Sequence, residues 1–195
     1  MMELPAPRTE GDLSLEEALA ARRSVRDFTS EELTLEELSQ LLWAAQGVTA
    51  PWGGRTAPSA GALYPLEVYV ATSQGVLHYL PDGHRAQSLA TSDVRGALSE
   101  AAGGQTAVAD APAVLIITAL PARTETKYGE RTERYVHLEA GHAAQNVLLQ
   151  AVALGLGGVP MGAFSDEEVA RVLGLPRGEV ALYLIPVGHP AEGST

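Results

Sequence analysis

Apolar positions in this chain recur at two periods, and the changes between them mark out the elements. Leu35, Leu38, Leu41, Leu42 and Ala45 fall at three- and four-residue steps, which predicts a helix. Thr34-Leu-Glu-Glu37 supplies its capping box and Gly47 its stop. Ser14-Leu-Glu-Glu17 is a second capping box, opening a short helix through Leu15, Ala18, Leu19 and Arg22; Ser165-Asp-Glu-Glu168 is a third, opening a helix to Leu173. Ser92–Ala102 also reads as helical, with Ser92 as its cap. The longest helical pattern runs over Arg131–Leu154. Val136, Ala140, Ala144, Val147, Leu148 and Ala151 mark one face, and alanines cover much of the rest. A helix apolar nearly all round is buried, and small residues let another helix come close, so a two-fold partner is a natural neighbour.

Elsewhere the period shortens. Leu66–Thr72 alternates, Val76–Leu80 follows after a short turn, and the pair predicts a hairpin closed off by Pro81-Asp82-Gly83. Ala111–Ala119 is a nearly continuous apolar run, the mark of a strand buried on both faces, and Val180–Gly188 is a last strand. Residues 47–65 have glycine or proline every few positions and no period; an irregular stretch of that length is usually functional or mobile. The sum is an α+β domain without repeats or an internal linker.

Composition narrows the function classes. The 195 residues are 46% hydrophobic and carry a formal charge of −11, from 24 acids against 13 bases. That balance argues against nucleic acid or an anionic membrane as a main partner. There is no cysteine, hence no disulfide, thiolate metal site or cysteine nucleophile. No apolar run approaches the roughly 18 residues a membrane span needs. Met1–Glu10 lacks the apolar core of a signal peptide, and the expected location is cytoplasmic.

Against that acidity, Arg22, Arg23 and Arg26 crowd into five positions with Ser24. Guanidinium forks with a hydroxyl suit a phosphate-type anion; a solvated helix end, with arginines answering the dipole, explains the same residues. Gly155-Leu-Gly157-Gly158 follows a helix rather than a strand, so it reads as a helix stop and not a dinucleotide fingerprint, although Gly157, Gly158 and Gly162 would let a flat ligand approach the backbone. His137 and His142 are badly spaced for one metal, there is no His-Glu-x-x-His, and the histidines read as surface or hydrogen-bonded residues; no metal is expected. No Gly-x-Ser-x-Gly elbow supports a serine hydrolase. Lys127-Tyr128, placed in a loop before the long helix, is either a solvated pair or an acid–base pair with perturbed pKa values.

Four stretches in order resemble the FMN-dependent nitroreductase superfamily, and more closely its SagB-type azoline-dehydrogenase (thiazole/oxazole oxidase) branch. They are Arg22-Arg23-Ser24-x-Arg26; Pro58-Ser-Ala-Gly-Ala-Leu-Tyr-Pro65; Lys127-Tyr-Gly-Glu-Arg leading to Tyr135-x-x-Leu-Glu-Ala-Gly-His-Ala-Ala-Gln-Asn146; and Gly157-Gly-Val-Pro-Met-Gly-Ala-Phe164 with Val187-Gly-His-Pro190. The resemblance implies a three-layer α+β sandwich in an intertwined homodimer, with two FMN sites at the subunit interface. Residues 1–12 would be a flexible lead-in, 13–190 the FMN-binding domain and 191–195 a short tail. Arg22, Arg23, Ser24 and Arg26 would hold the phosphate and reach the ribityl and pyrimidine edge. Pro58, Ser59, Ala60, Gly61 and Leu63 of the other subunit would pack on the ring, Pro160, Met161 and Gly162 would face its reactive edge, and Gln145 is a further contact. Lys127 and Tyr128 match the pair that removes a proton from the ring being oxidised. A basic residue that many nitroreductases place after the last strand has no counterpart in Ala191–Thr195, which leaves more of the phosphate to the arginines. The activity implied is flavin oxidoreduction by a ping-pong cycle on a small-molecule or peptide substrate, either azoline dehydrogenation or NAD(P)H-dependent nitro or quinone reduction. A flavin-binding sensor without turnover, and an anion-binding scaffold without flavin, are the alternatives.

Overall fold

A computed structural model describes residues 1–194. Seven strands form one antiparallel sheet: β1 (Met2–Glu3), β2 (Leu66–Thr72), β3 (Gly75–Leu80), β4 (Arg85–Ala90), β5 (Ala113–Ala119), β6 (Gly157–Gly158) and β7 (Val180–Gly188), in the spatial order β1-β4-β3-β2-β5-β7-β6. The helices are α1 (Leu15–Ala21), α2 (Leu35–Gln46), α3 (Arg95–Ala101), α4 (Thr106–Asp110), α5 (Ala122–Tyr128), α6 (Thr132–Ala153) and α7 (Asp166–Leu173). Alternation along β2 and β5 divides the core in two. Leu66, Val68, Val70, Leu115 and Ile117 pack with α2 and α6; Tyr69, Ala71, Val114 and Ile116 pack with α3, α4 and α7. Helices therefore cover both sheet faces, giving three layers, and every residue of β5 is buried. That is why its sequence is continuously apolar instead of alternating.

Both N-terminal capping boxes close, at Ser14–Glu17 and Thr34–Glu37. At α7 only the serine half forms, Ser165 Oγ accepting from Glu168 N. The six apolar positions marked on the longest helix are all buried in α6. Ser92 is not a cap: α3 begins at Arg95, where the Asp93 carboxylate accepts both the Arg95 backbone N–H at 3.0 Å and its guanidinium. Lys127 and Tyr128 do not lie in a loop. They end α5, a helix with only Thr124 buried and thus no apolar period to betray it. β4, whose Gln87, Ser88 and Leu89 are exposed, and the single turn α4 also lack a readable pattern. β1 pairs with β4, Leu4 is buried, and the Ser39 hydroxyl donates to the Pro5 carbonyl.

The short β6 matters for the site, because it fixes the basic segment after α1. Ser24 pairs in parallel with Gly158, and Val25 N donates to the Gly158 carbonyl at 3.1 Å. A Cβ at Gly157 would lie 2.7 Å from Val25 Cβ, closer than carbon atoms pack. Gly157→Ala should therefore lower stability by about 1–3 kcal/mol in urea unfolding, and the loss should be smaller in a Val25→Gly background, where that Cβ is gone.

Candidate active site

The irregular segment before β2 is held in a strained shape. Gly61, Ala62 and Tyr64 have φ of 63°, 53° and 46°. Left-handed backbone is natural for glycine and unfavourable at Ala62 and Tyr64, so neighbouring contacts must hold it. They are numerous. Tyr64 N donates to Ser59 Oγ at 2.9 Å, and Arg55 N to the Tyr64 hydroxyl at 3.2 Å. The Arg55 guanidinium stacks 4.4 Å from the centre of the Tyr64 ring and donates to Gln46 Oε1 at 2.8 Å. From α5, Arg123 Nη1 donates to the Tyr64 carbonyl at 3.0 Å while Nη2 pairs with Glu67 Oε1 at 2.5 Å. Glu67 also meets His78 Nε2 at 2.7 Å; burial opposes its charged form, but His78 and Arg123 prevail and hold the carboxyl below its ordinary range. His84 is likewise tied in, to Ser39 and Tyr79.

The exposed face of Gly61 receives the end of α5. Lys127 Nζ and the Tyr128 hydroxyl each lie 2.9 Å from the point where a Cβ at Gly61 would stand. An amine and a phenol thus converge on one bare stretch of backbone that any side chain would obstruct. Lys127 is the single lysine among the 195 residues. Tyr128 is braced edge-on by Tyr135 of α6, 4.8 Å between ring centres.

One α6 turn beyond Tyr135 lies Glu139, which is 2% exposed and whose Oε1 has no hydrogen-bond partner. Burial pushes its carboxyl up to about 7; the Ser59 hydroxyl and the Arg55 charge pull the other way without reversing the shift. A buried acid with its carboxyl pushed upward thus lies close to Ser59, two residues from Gly61.

A second group forms around the arginines. Through the Ser24–Gly158 pairing, Ser24 and Val25 lie beside Gly157 and Gly158. Arg23 Nη1 donates to the carbonyls of Ala20 and Arg22, serving the end of α1 as the helix-dipole reading expects. Arg22 and Arg26 make no ion pair among the described residues. Pro160 is half-buried, Met161 pairs with Leu184, and a Cβ at Gly162 would meet nothing within 4 Å. Gln145 is exposed on α6, and Pro58, Ala60 and Leu63 share the strained segment with Ser59 and Gly61. No hydrogen bond or ion pair among the described residues joins the two groups.

Gln46, Arg55, Glu67, Arg123 and Glu139 were not among the residues expected at the site. Glu139 carried a readable signal, an acid three positions after Val136 on the buried stripe of α6. The others carried none: Arg55 sits in an aperiodic loop, and Arg123 in a helix without a period.

Comparison with known proteins adds to this geometry. A model of the nitroreductase family matches residues 19–189. A Methanocaldococcus jannaschii protein provisionally named a nitroreductase is 47% identical over 197 residues, covering 98% of this chain and 98% of that protein. The crystal structure of a Ralstonia eutropha protein, also provisionally named a nitroreductase, superposes with a TM-score of 0.89 at 33% identity, covering 98% of this chain and 90% of that one. More distantly, the NAD(P)H-dependent FMN reductase of Bacillus subtilis is 28% identical over 191 residues (91% of this chain, 66% of that protein). The microcin B17-processing protein McbC of Escherichia coli is 26% identical over 166 residues (79% of this chain, 61% of that protein).

Glu139 makes stability depend on pH in a definite direction. Its folded-state value of about 7 lies above the ordinary 4.5, so the folded chain binds the proton more tightly than the unfolded one. The group has no effect below about pH 4.5, costs stability progressively as pH rises to about 7, and imposes its full cost above that. Glu139→Gln removes the charge and keeps an acceptor for Ser59. The fall in melting temperature between pH 4.5 and 8 should be shallower in the variant than in the parent chain.

Proposed function

The chain belongs to the nitroreductase family, a family with flavin oxidoreductases among its members, and from that premise we propose that it is an FMN-dependent dehydrogenase whose Lys127–Tyr128 pair takes a proton from the substrate being oxidised. The observation that carries this reading is the convergence of Lys127 Nζ and Tyr128 OH on Gly61. A pure electron-transfer site has no need of an amine and a phenol at one point; a ring that must lose a proton together with a hydride does. The substrate class that fits is an azoline, free or in a peptide, with oxygen as the second substrate.

The residues present suit FMN. Among the described residues Arg22 and Arg26 have no carboxylate partner, in a chain of net charge −11. The backbone at Gly162 is open to a close approach. In the proposal Arg22, Arg23, Ser24 and Arg26 bind the phosphate, ribityl and pyrimidine edge, with Gln145 as a further contact. Pro160, Met161 and Gly162 line the reactive edge, where the Gly162 N–H is the donor to the ring. Pro58, Ser59, Ala60, Gly61 and Leu63 come from a second copy of the chain. When bound, FMN supplies the hydride acceptor and donor of a ping-pong cycle. The protein's own part is to orient the ring, exclude water and hold the proton at Lys127 and Tyr128.

A homodimer is supported by what the single chain leaves uncovered. Leu15 and Leu19 of α1 are 61% and 52% exposed, Leu138 of α6 51% and Trp52 76%. At Leu15 a groove of about 330 Å³ is lined also by Leu13, Ala18, Trp43, Leu149 and Ala153. The functional unit proposed is residues 13–190 with their copy. Among the described residues no helix is long and apolar enough to cross a membrane.

A second reading, NAD(P)H-dependent reduction of a nitro compound or quinone, is favoured by the B. subtilis relative, whose name specifies NAD(P)H. Anaerobic mixing of the FMN-loaded protein with NADPH separates the two: bleaching of the flavin band supports the reductase, and its absence, with turnover of a thiazoline, supports the dehydrogenase. Flavin binding without either half-reaction would leave a sensor.

Replacing Arg22 and Arg23 together by alanine should weaken FMN binding by about 100-fold or more, since each charge-assisted hydrogen bond is worth about 1.5–3 kcal/mol, while size-exclusion chromatography still shows the dimer. Flavin retained at parental affinity would place the phosphate elsewhere. Lys127→Ala should keep FMN affinity and lower kcat for thiazoline oxidation by about 10²–10⁴-fold, the usual worth of a positioned base.

A further inference from the structure

Next to the strained segment lies a cleft of about 500 Å³, walled by residues 63–64, 66–68 and 79–82 and by Gln46, Arg55, Arg85 and Arg123. This is within the range of small-molecule sites. Its hydrogen-bonding groups are unbalanced. Arg85 is turned onto the Asp82 carbonyl, which accepts its Nε and Nη2 at 3.3 Å, and Arg123 is taken by Glu67 and the Tyr64 carbonyl. Arg55 is different. Half-buried, with one face on Tyr64, its guanidinium gives a single hydrogen bond, to Gln46 Oε1, and makes no ion pair among the described residues. That bond fixes the Gln46 amide: the oxygen faces Arg55, so Nε2 faces the other way. Gln46 is 0% exposed, and its Nε2 has no partner. A buried amide left without an acceptor is unfavourable by about 1–3 kcal/mol unless something supplies one.

A planar acceptor in the cleft would satisfy Arg55. Carboxylate oxygens match the fork of a guanidinium. The charge count favours a monoanion. Three arginines against Asp82 and Glu67 leave the cleft one net positive charge, a poor match for a dianionic phosphate. Position gives the acid a purpose. Arg123 and Lys127 are four apart on α5, so they share a helix face. Tyr64, on the cleft wall, is three residues from Gly61.

We propose that this cleft is a carboxylate-recognition subsite, binding the acid group of a substrate whose oxidisable part reaches the Lys127–Tyr128 pair beside Gly61. The proposal deepens the dehydrogenase reading by naming the substrate class: azolines that carry a free carboxylate, rather than neutral ones.

The test compares 2-phenylthiazoline-4-carboxylate with its primary amide as substrates of the FMN-loaded protein, and the two corresponding thiazoles as ligands in isothermal titration. The parent protein should prefer the acid by about tenfold or more, through KM rather than kcat, and should bind the acid thiazole more tightly by a similar factor. Arg55→Gln should bring the acid down to the level of the amide. Equal handling of acid and amide by the parent protein, which requires no variant, would overturn the proposal, as would a preference undiminished in a folded Arg55→Gln chain. So would inorganic phosphate displacing the thiazole more strongly than acetate does. If neither thiazoline is oxidised but the acid thiazole still binds preferentially and loses that preference in Arg55→Gln, the subsite stands and the dehydrogenase reading falls.

Discussion

The backbone between Ser59 and Tyr64 is the constraint on which the candidate site depends. Holding Ala62 and Tyr64 in the left-handed region is unfavourable by about 1–2 kcal/mol for each residue. Such a conformation survives only if its surroundings over-determine it. Here they do so from three directions. Ser59 accepts the Tyr64 N–H from within the turn, Arg55 clasps the Tyr64 ring and hydroxyl from one side, and Arg123 holds the Tyr64 carbonyl from α5. The result is a glycine presented at the surface with its Cβ position bare and an amine and a phenol over it. Strain in the backbone and the bare face that Lys127 and Tyr128 cover have one physical origin.

The sheet makes that arrangement rigid. Glu67 is the second residue of β2, which pairs along its length with the wholly buried β5. The ion pair from Arg123 to Glu67 therefore ties α5 to the central strands of the sheet, and His78 on the neighbouring strand fixes the other carboxylate oxygen. A half-buried pair of this kind holds geometry more surely than it adds stability, because desolvation offsets much of its attraction.

Much of the fold was legible because it follows periodicity. α2, α6, β2, β3, β5 and β7 each bury a face, and burial writes itself into the spacing of apolar residues. The elements that escaped bury little: α5 hides only Thr124, and most of the side chains of β4 are at least partly exposed. That omission bears on the site, since Lys127 and Tyr128 owe their direction to a helix that pattern alone places in a loop. The motifs at 22–26 and 157–162 stood out separately. Their meeting through Ser24 and Gly158 is a long-range contact that no local pattern encodes. Ala62 and Tyr64 gave no hint of left-handed backbone, which sequence announces only through glycine or asparagine. Arg55 was invisible for a different reason: its partner Gln46 ends a helix nine residues earlier, and what matters about both is the acceptor they lack.

Arg123 joins these observations. It touches the strained turn, the sheet and the cleft, and it stands one helical turn before Lys127. A ligand carboxylate drawn toward Arg55 would compete with Glu67 and the Tyr64 carbonyl for the guanidinium of Arg123. Losing Arg123 from Glu67 would release one of the contacts that hold α5, the helix that ends in Lys127 and Tyr128. An acid in the proposed subsite and the position of the amine would then bear on each other through this one side chain, and linkage makes any such effect reciprocal.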